Sequence, residues 1–306
     1  MIRVAIAGLG KIARDQHVPV IAASRDFELA AIASPHSRLD AVKCYDDLES
    51  LLRAERNIDA VALCTTPQVR YDMARLALER GLHVLLEKPP GVTISEVQAL
   101  VEIAKRKGVA LFASWHSRHA AAVEPARAWL ASRRITNVSV AWKEDVRVWH
   151  PGQKWIWKAG GLGVFDPGIN ALSILTLILP GGLALREAAL SFPSNCETPI
   201  AAELRLTTAS GSPVLVELDF LQTGPQTWDI TAETDDGRLT LSMGGTILQI
   251  DGKPITTGAK SEYANLYDHF AALVRERRID VDLAPFQLVA DALLCGRHIA
   301  APAFLD

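Results

Sequence analysis

The chain has 306 residues, 49% of them hydrophobic and 22% charged, and a formal net charge of −3. That length suggests about two domains with a sizeable core, and the charge balance lacks the basic footprint of a nucleic-acid or membrane-surface protein. Four cysteines (Cys44, Cys64, Cys196, Cys295) are scattered without metal-ligand spacing or a disulfide framework, so no metal site is expected.

An apolar run, Ile2 to Ala7, opens the chain and leads directly into Gly8-Leu9-Gly10-Lys11-Ile12-Ala13. A strand starting at Ile2 leaves no room for a signal peptide, and a cytoplasmic location is expected. The pattern G-x-G-x-x-A suits a dinucleotide: the first glycine permits the tight bend and the second lets backbone approach a pyrophosphate. The small third residue packs helix on strand, and the helix N-terminus faces the phosphates. Its context supports this reading, with a helix over Lys11 to Ala23 and a second strand over Leu29 to Ala33.

Further strands are predicted at Ala60 to Cys64, His83 to Leu86 and Ala110 to Ala113. Helices are predicted at Asp47 to Glu55, Pro67 to Arg80 and Thr93 to Lys107, the last with a Thr93/Glu96 capping box and a stop at Gly108. The alternation predicts an α/β fold with an N-terminal, doubly wound, parallel Rossmann sheet over 1–117. Residues 118–306 are expected to form an α+β domain that binds substrate and mediates oligomerisation. Its elements are a helix at Ala120 to Ala131, a long strand at Ile135 to Val148 and an apolar helix from Asp166. Turn-punctuated strands from Ala184 to Ile250 predict a largely antiparallel open sheet, closed by helices at Glu262 to Arg277 and Ala284 to Ile299. The longest apolar stretch, 169–179, is too short to span a bilayer.

Several positions carry candidate chemistry. The second strand ends Ser34-Pro35-His36-Ser37-Arg38 with no carboxylate to take a ribose 2′-hydroxyl. Ser34, His36 and Arg38 instead suit a 2′-phosphate, which favours NADP, with NAD also accepted. Glu87-Lys88-Pro89 follows the strand at His83, placing Lys88 at a carboxyl end, where an ammonium can stabilise a developing alkoxide. Lys88-Pro89 is a candidate cis peptide. Period-two reading of the strand from Ile135 puts Glu144 on its apolar face, where it must be paired, protonated or facing a polar ligand. A loop with Trp149, His150, Trp155 and Trp157, followed by Gly160, Gly161 and Gly163, suits a ligand with apolar faces and polar edges. Asp166 and Asn170 share a helix face; Asp before Pro is also an N-cap pattern, but that leaves the amide of Asn170 in an apolar helix unexplained.

Taken together, the Gly8/Gly10 turn, Glu87-Lys88-Pro89 and the helix carrying Asp166 resemble the glucose–fructose oxidoreductase and inositol dehydrogenase family over the whole chain. The stretches 142–145, 149–153 and 163–170 resemble its branch of bacterial L-arabinose and D-galactose 1-dehydrogenases. Asn170, where many members carry histidine, points the same way, whereas Pro35 stands where an arginine would firm an NADP contact. The resemblance implies oxidation of an aldose at C1, with Asp166 as base directly or through Lys88, and with Lys88 and Asn170 at the reacting group. It implies Glu144, Trp149, His150 and Asn170 as substrate contacts. Gly8, Gly10, Lys11, Ile12, Ser34, His36, Arg38, Thr65, Pro67, Glu87 and Lys88 are the implied cofactor contacts. A homodimer through the C-terminal sheet is expected, without nucleic-acid or membrane partners. Two alternatives stand beside this: a dehydrogenase acting on another ring carbon of a sugar or inositol, and a non-catalytic NADP-binding regulator.

Overall fold

A computed structural model describes residues 1–305, which fold as two units: Met1–Trp115 with Tyr263–Asp282, and His116–Glu262 with the segment from Leu283 onward. The first contains strands β1 (Ile2–Ala7), β2 (Phe27–Ala33), β3 (Lys43–Tyr45), β4 (Ala60–Leu63), β5 (His83–Glu87) and β6 (Leu111–Ser114). They form one parallel sheet with Ile279–Asp280 in the order Ile279–Asp280, β6, β5, β4, β1, β2, β3. The strands read as unbroken apolar runs because both faces are covered. Ala5, Leu63 and Leu86 pack toward Leu51, Ala77, Leu78 and Leu100 on one side. Ile6, Ile32, Leu85 and Phe112 pack toward Ile21 and the helix Glu262–Glu276 on the other. Thr93 and Glu96 form the expected capping box, and Gly108 closes that helix with φ +62°.

Sequence order kept the helix Glu262–Glu276 with the second half of the chain; it folds into the first unit instead. Its buried stripe of Tyr263, Leu266, Tyr267, Phe270, Ala271 and Val274 explains this: Phe270 stacks on Phe27 at 5.7 Å and on Phe112 at 6.2 Å. The helix expected over Lys11 to Ala23 also differs. Ala13–His17 is a π-helical turn, in which the Val18 N–H donates to Ala13 O, and an α-helix follows over Val18–Ala23. The wider turn accompanies a fully buried His17.

Among the described residues the second unit has nine strands. In chain order they are β7 (Ile135–Lys143), β8 (Leu183–Pro193), β9 (Ala201–Thr208), β10 (Pro213–Asp219), β11 (Thr227–Thr234), β12 (Gly237–Ser242), β13 (Ile247–Ile250), β14 (Lys253–Ile255) and the edge strand Arg297–Ala301. The spatial order is β14, β13, β12, β11, β7, β10, β9, β8, Arg297–Ala301. The pairing is mostly antiparallel, with β7–β10 and β8–Arg297–Ala301 parallel. The last strand replaces the end of a helix expected to run to Ile299. That helix stops at Cys295 because Gly296 turns extended, and a side chain there would collide with Ala292 O and Leu190. The strand expected to reach Val148 likewise ends at Lys143, because Asp145 accepts the Arg147 N–H and starts a one-turn helix, Val146–Trp149. Val148 is consequently exposed, not buried on the apolar face.

Candidate active site

In the first unit the loops after β1, β4 and β5 leave adjacent strands at their carboxyl ends, where open parallel sheets bind ligands. Gly8 has φ +92°, and a Cβ on it would lie 2.8 Å from Thr65 N, so only glycine serves this bend. At Gly10 a Cβ would meet nothing within 4 Å, which leaves the open space a pyrophosphate requires. Ile12 is half-buried and Lys11 is exposed in the turn that follows, where Lys11 pairs with Asp15. Thr65 Oγ1 is buried without a hydrogen-bond partner among the described residues, and Pro67 opens the helix Pro67–Glu79. A bend closed to side chains, an open approach to backbone and an orphaned hydroxyl fit a dinucleotide.

Ser34 is buried, while His36 and Arg38 are exposed. Arg38 is more engaged than its sequence position suggests. Its guanidinium donates to Ser34 O at 2.5 Å and to Ser37 O at 3.1 Å, and it pairs with Asp46 at 2.5 Å. Arg14 donates to Arg38 O at 3.0 Å, which brings a second arginine to this loop. Neither Arg14 nor Asp46 was identifiable from sequence, since both reach the loop through tertiary folding.

The Lys88-Pro89 bond is cis, and Lys88 is half-buried. Glu87 is 3% exposed and its carboxylate turns into the unit. Oε1 accepts from His17 Nε2 at 2.9 Å and from the Tyr263 hydroxyl at 2.8 Å, while Oε2 accepts the Lys88 N–H at 2.9 Å. Its side chain therefore anchors the Lys88 backbone. Arg70, also buried, donates to the carbonyls of Thr65, Glu87 and Pro89 and so ties the β4 and β5 loops together. Burial works against a charge on His17, but Cys64, Tyr267 and Glu87 outweigh it and hold its pKa well above the ordinary value. Burial pushes Tyr267 up to about 12. The sequence signal for this cluster is weak: a histidine and two tyrosines on otherwise apolar helix faces.

In the second unit Glu144, just past β7, is 2% exposed and doubly held. His150 Nε2 lies 2.9 Å from Oε1, and Trp228 Nε1–H donates to Oε2 at 2.7 Å. Indole is a donor only, so the second contact fixes Glu144 as acceptor. Trp228 lies opposite Trp142 in the β11–β7 register and under Trp149, whose ring centre is 4.6 Å away. Sequence reading missed Trp228 because strand register is a long-range property.

Asp166 is not the N-cap that the Asp-Pro pair suggests. The helix Phe165–Ile178 starts one residue earlier, after Leu162 and Gly163 in left-handed conformations; Pro199 O accepts the Val164 N–H and Gly163 O that of Asp166. The carboxylate, in the first turn and 2% exposed, points its Oδ2 to within 3.6 Å of His150 Nδ1. Asn170 sits half-buried one turn further on. Glu144, Asp166 and His150 are thus gathered beside the rings of Trp149 and Trp228. Such a set can exchange hydrogen bonds with neighbouring hydroxyls on a ring and withdraw a proton from one of them.

The sequence pattern of an oxidoreductase family with an NAD-binding Rossmann fold matches residues 2–114. A galactose 1-dehydrogenase of Pseudomonas fluorescens is 42% identical over 305 residues, spanning 100% of this chain and 99% of that protein. A crystal structure of a D-galactose-1-dehydrogenase protein from Rhizobium etli superposes with a TM-score of 0.95 at 53% identity, over 99% of this chain and 98% of that one. A 3-ketoreductase from Actinomadura kijaniata, solved with NADP and TDP-benzene, has a TM-score of 0.84 at 20% identity over 98% and 99% of the chains, a likeness of fold. Among the described residues no helix is long and apolar enough to cross a membrane.

Proposed function

The chain belongs to the glucose–fructose oxidoreductase and inositol dehydrogenase family of nicotinamide-dependent oxidoreductases, and on that premise we propose that it is an aldose 1-dehydrogenase. The substrates are pyranoses of the L-arabinose, D-galactose and D-fucose type, and the product is the aldonolactone. The observation that carries this reading is the pair of buried carboxylates, Glu144 and Asp166, on either side of His150 and beside two indole rings. Apolar ring faces with hydroxyl edges match that surface, and the full-length likeness to a galactose 1-dehydrogenase supports the sugar class.

Asp166 removes the proton of the anomeric hydroxyl. Lys88 stabilises the oxyanion that develops there. Glu144, His150, Trp149 and Asn170 hold the ring and its hydroxyls, fixing the geometry of attack. When bound, the nicotinamide supplies the acceptor for the C1 hydride. Gly8, Gly10, Lys11, Ile12, Thr65 and Pro67 hold the dinucleotide, and Ser34, His36 and Arg38, assisted by Arg14, favour NADP over NAD. The three sugars share their hydroxyl arrangement at C2, C3 and C4, so one pocket accepts all of them. Where the pocket around the C5 substituent is apolar, discrimination there is worth about 1–3 kcal/mol. The protein works in the cytoplasm as a homodimer joined through its open C-terminal sheet, whose strands carry exposed Glu203, Arg205 and Arg238.

A panel of aldoses and inositols with NADP and with NAD, followed by absorbance and product analysis, tests this. Lactone formation from L-arabinose or D-galactose is expected. A keto sugar with the C1 hydroxyl intact would place the attack at another carbon, and the absence of any turnover would remove the enzyme reading.

A further inference from the structure

The residues after the edge strand Arg297–Ala301 reach back to the tryptophan loop within the second unit. Asn195, in the turn after β8, grips both backbone groups of Phe304: Nδ2–H donates to Phe304 O at 2.8 Å, and the Phe304 N–H donates to Oδ1 at 2.9 Å. One amide thereby gives residue 304 the two bonds a strand neighbour would give. The phenyl ring is 9% exposed and lies tilted against Trp157, with centroids 5.0 Å apart. Trp157 meets Phe220 edge-on at 5.7 Å, and Phe220 lies 5.4 Å from the ring of His150. An unbroken file of rings therefore runs from Phe304 to the imidazole held between Glu144 and Asp166.

Arg147 makes a second tie to the same segment. Its guanidinium lies 5.1 Å from the Phe304 ring centre, and its Nη2 donates to Leu305 O at 3.1 Å. Arg147 belongs to the one-turn helix Val146–Trp149, which joins Glu144 to His150. A single turn has no stability of its own in water and takes its position from what packs against it. The backbone of the following loop is fixed on one side, where Trp157 O accepts the Glu197 N–H at 2.9 Å and Ile156 O accepts the Thr198 hydroxyl at 2.8 Å. The Trp157 ring takes its position from Phe220 and Phe304.

We infer that Phe304, clamped by Asn195, is a positioning residue for the sugar site, acting through Trp157 and Arg147 on His150 and the helix Val146–Trp149. This rests on the reading of the Glu144–His150–Asp166 group as the sugar site. Packed rings transmit displacement because they have no slack to absorb it, and an error of an ångström at the reacting geometry is costly.

The full chain is assayed with L-arabinose and D-galactose, and NADP binding is titrated separately without sugar. Phe304→Ala is expected to raise sugar KM by roughly tenfold. Its NADP Kd stays unchanged, and loss of the buried ring lowers its Tm by roughly 5–10 °C. Phe304→Tyr restores KM to near the wild-type value. Asn195→Ala shifts KM the same way by less, and adding it to Phe304→Ala changes nothing further, since both act through one ring. An unchanged KM in Phe304→Ala overturns the inference, as do an NADP Kd that worsens in step with KM and a Phe304→Tyr that fails to rescue. A wild-type chain that oxidises no aldose refutes the function reading, and this one with it.

Discussion

His150 Nδ1 stands 3.6 Å from Asp166 Oδ2, beyond hydrogen-bond length, while its other nitrogen is 2.9 Å from Glu144. The imidazole is therefore fixed by one carboxylate and merely faces the other. A hydroxyl placed beside that gap lies within reach of both Nδ1 and Oδ2, and in the proposed mechanism it is Asp166 that takes its proton.

Replacing Asp166 with asparagine keeps shape and removes the base of the proposed mechanism. The Asp166→Asn variant is expected to lose roughly 10²–10⁴-fold in kcat, with NADP Kd unchanged in a fluorescence titration. Turnover near wild type would reduce Asp166 to a helix-end residue.

Glu144 holds both His150 and Trp228, so Glu144→Ala leaves two half-buried polar groups without their partner. Losing charge-assisted bonds of about 1.5–3 kcal/mol predicts a sugar KM raised by one to two orders of magnitude, with the nucleotide KM unmoved. Steady-state kinetics with each substrate varied in turn reads this, and an unaltered sugar KM would exclude Glu144 from the site.

Arg38 is shared between the loop carbonyls and Asp46. If it also meets a 2′-phosphate, Arg38→Ala lowers kcat/KM for NADP about tenfold or more and spares NAD. The Asp46→Asn variant frees the guanidinium and moves the ratio the other way. An equal loss with both cofactors would show that Arg38 only shapes the loop.

The two fingerprint glycines separate cleanly. Gly8→Ala drives a Cβ against Thr65 backbone at φ +92° and is expected to lower Tm as well as abolish nucleotide binding. Gly10→Ala meets no protein atom, so Tm holds while nucleotide affinity falls. Calorimetry with and without NADP distinguishes them, and tight NADP binding by Gly10→Ala would contradict the placement of the pyrophosphate.

The buried His17–Glu87 pair makes a pH prediction. A histidine with its pKa raised on folding binds more protons in the native state, so its contribution is complete below about 6.5 and is lost as pH rises through the higher native value. Tm is expected to decline over that alkaline window, and the decline should flatten in His17→Gln. A variant with the same slope as wild type would assign the titration elsewhere.

The local rules of the chain settled a large part of the fold. Unbroken apolar runs at Ile2, Ala60 and His83, the Thr93/Glu96 cap and the Gly8 turn are each determined by neighbouring residues, and they define a doubly wound sheet. The same locality exposed Glu144 as a carboxylate on an apolar face and Asn170 as an amide inside an apolar helix, one turn from Asp166. What the sequence withheld depends on contacts between distant segments. Trp228 reaches Glu144 through the β11–β7 register, 84 positions along the chain, and Tyr263 reaches Glu87 across 176. The helix Glu262–Glu276 could not be assigned to the first unit from its own amphipathic stripe, because such a stripe states that a face is buried but not against what. Periodicity reports which side of an element is apolar; only the packed structure decides which partner meets it, since burial is driven by area removed from water and area carries no address.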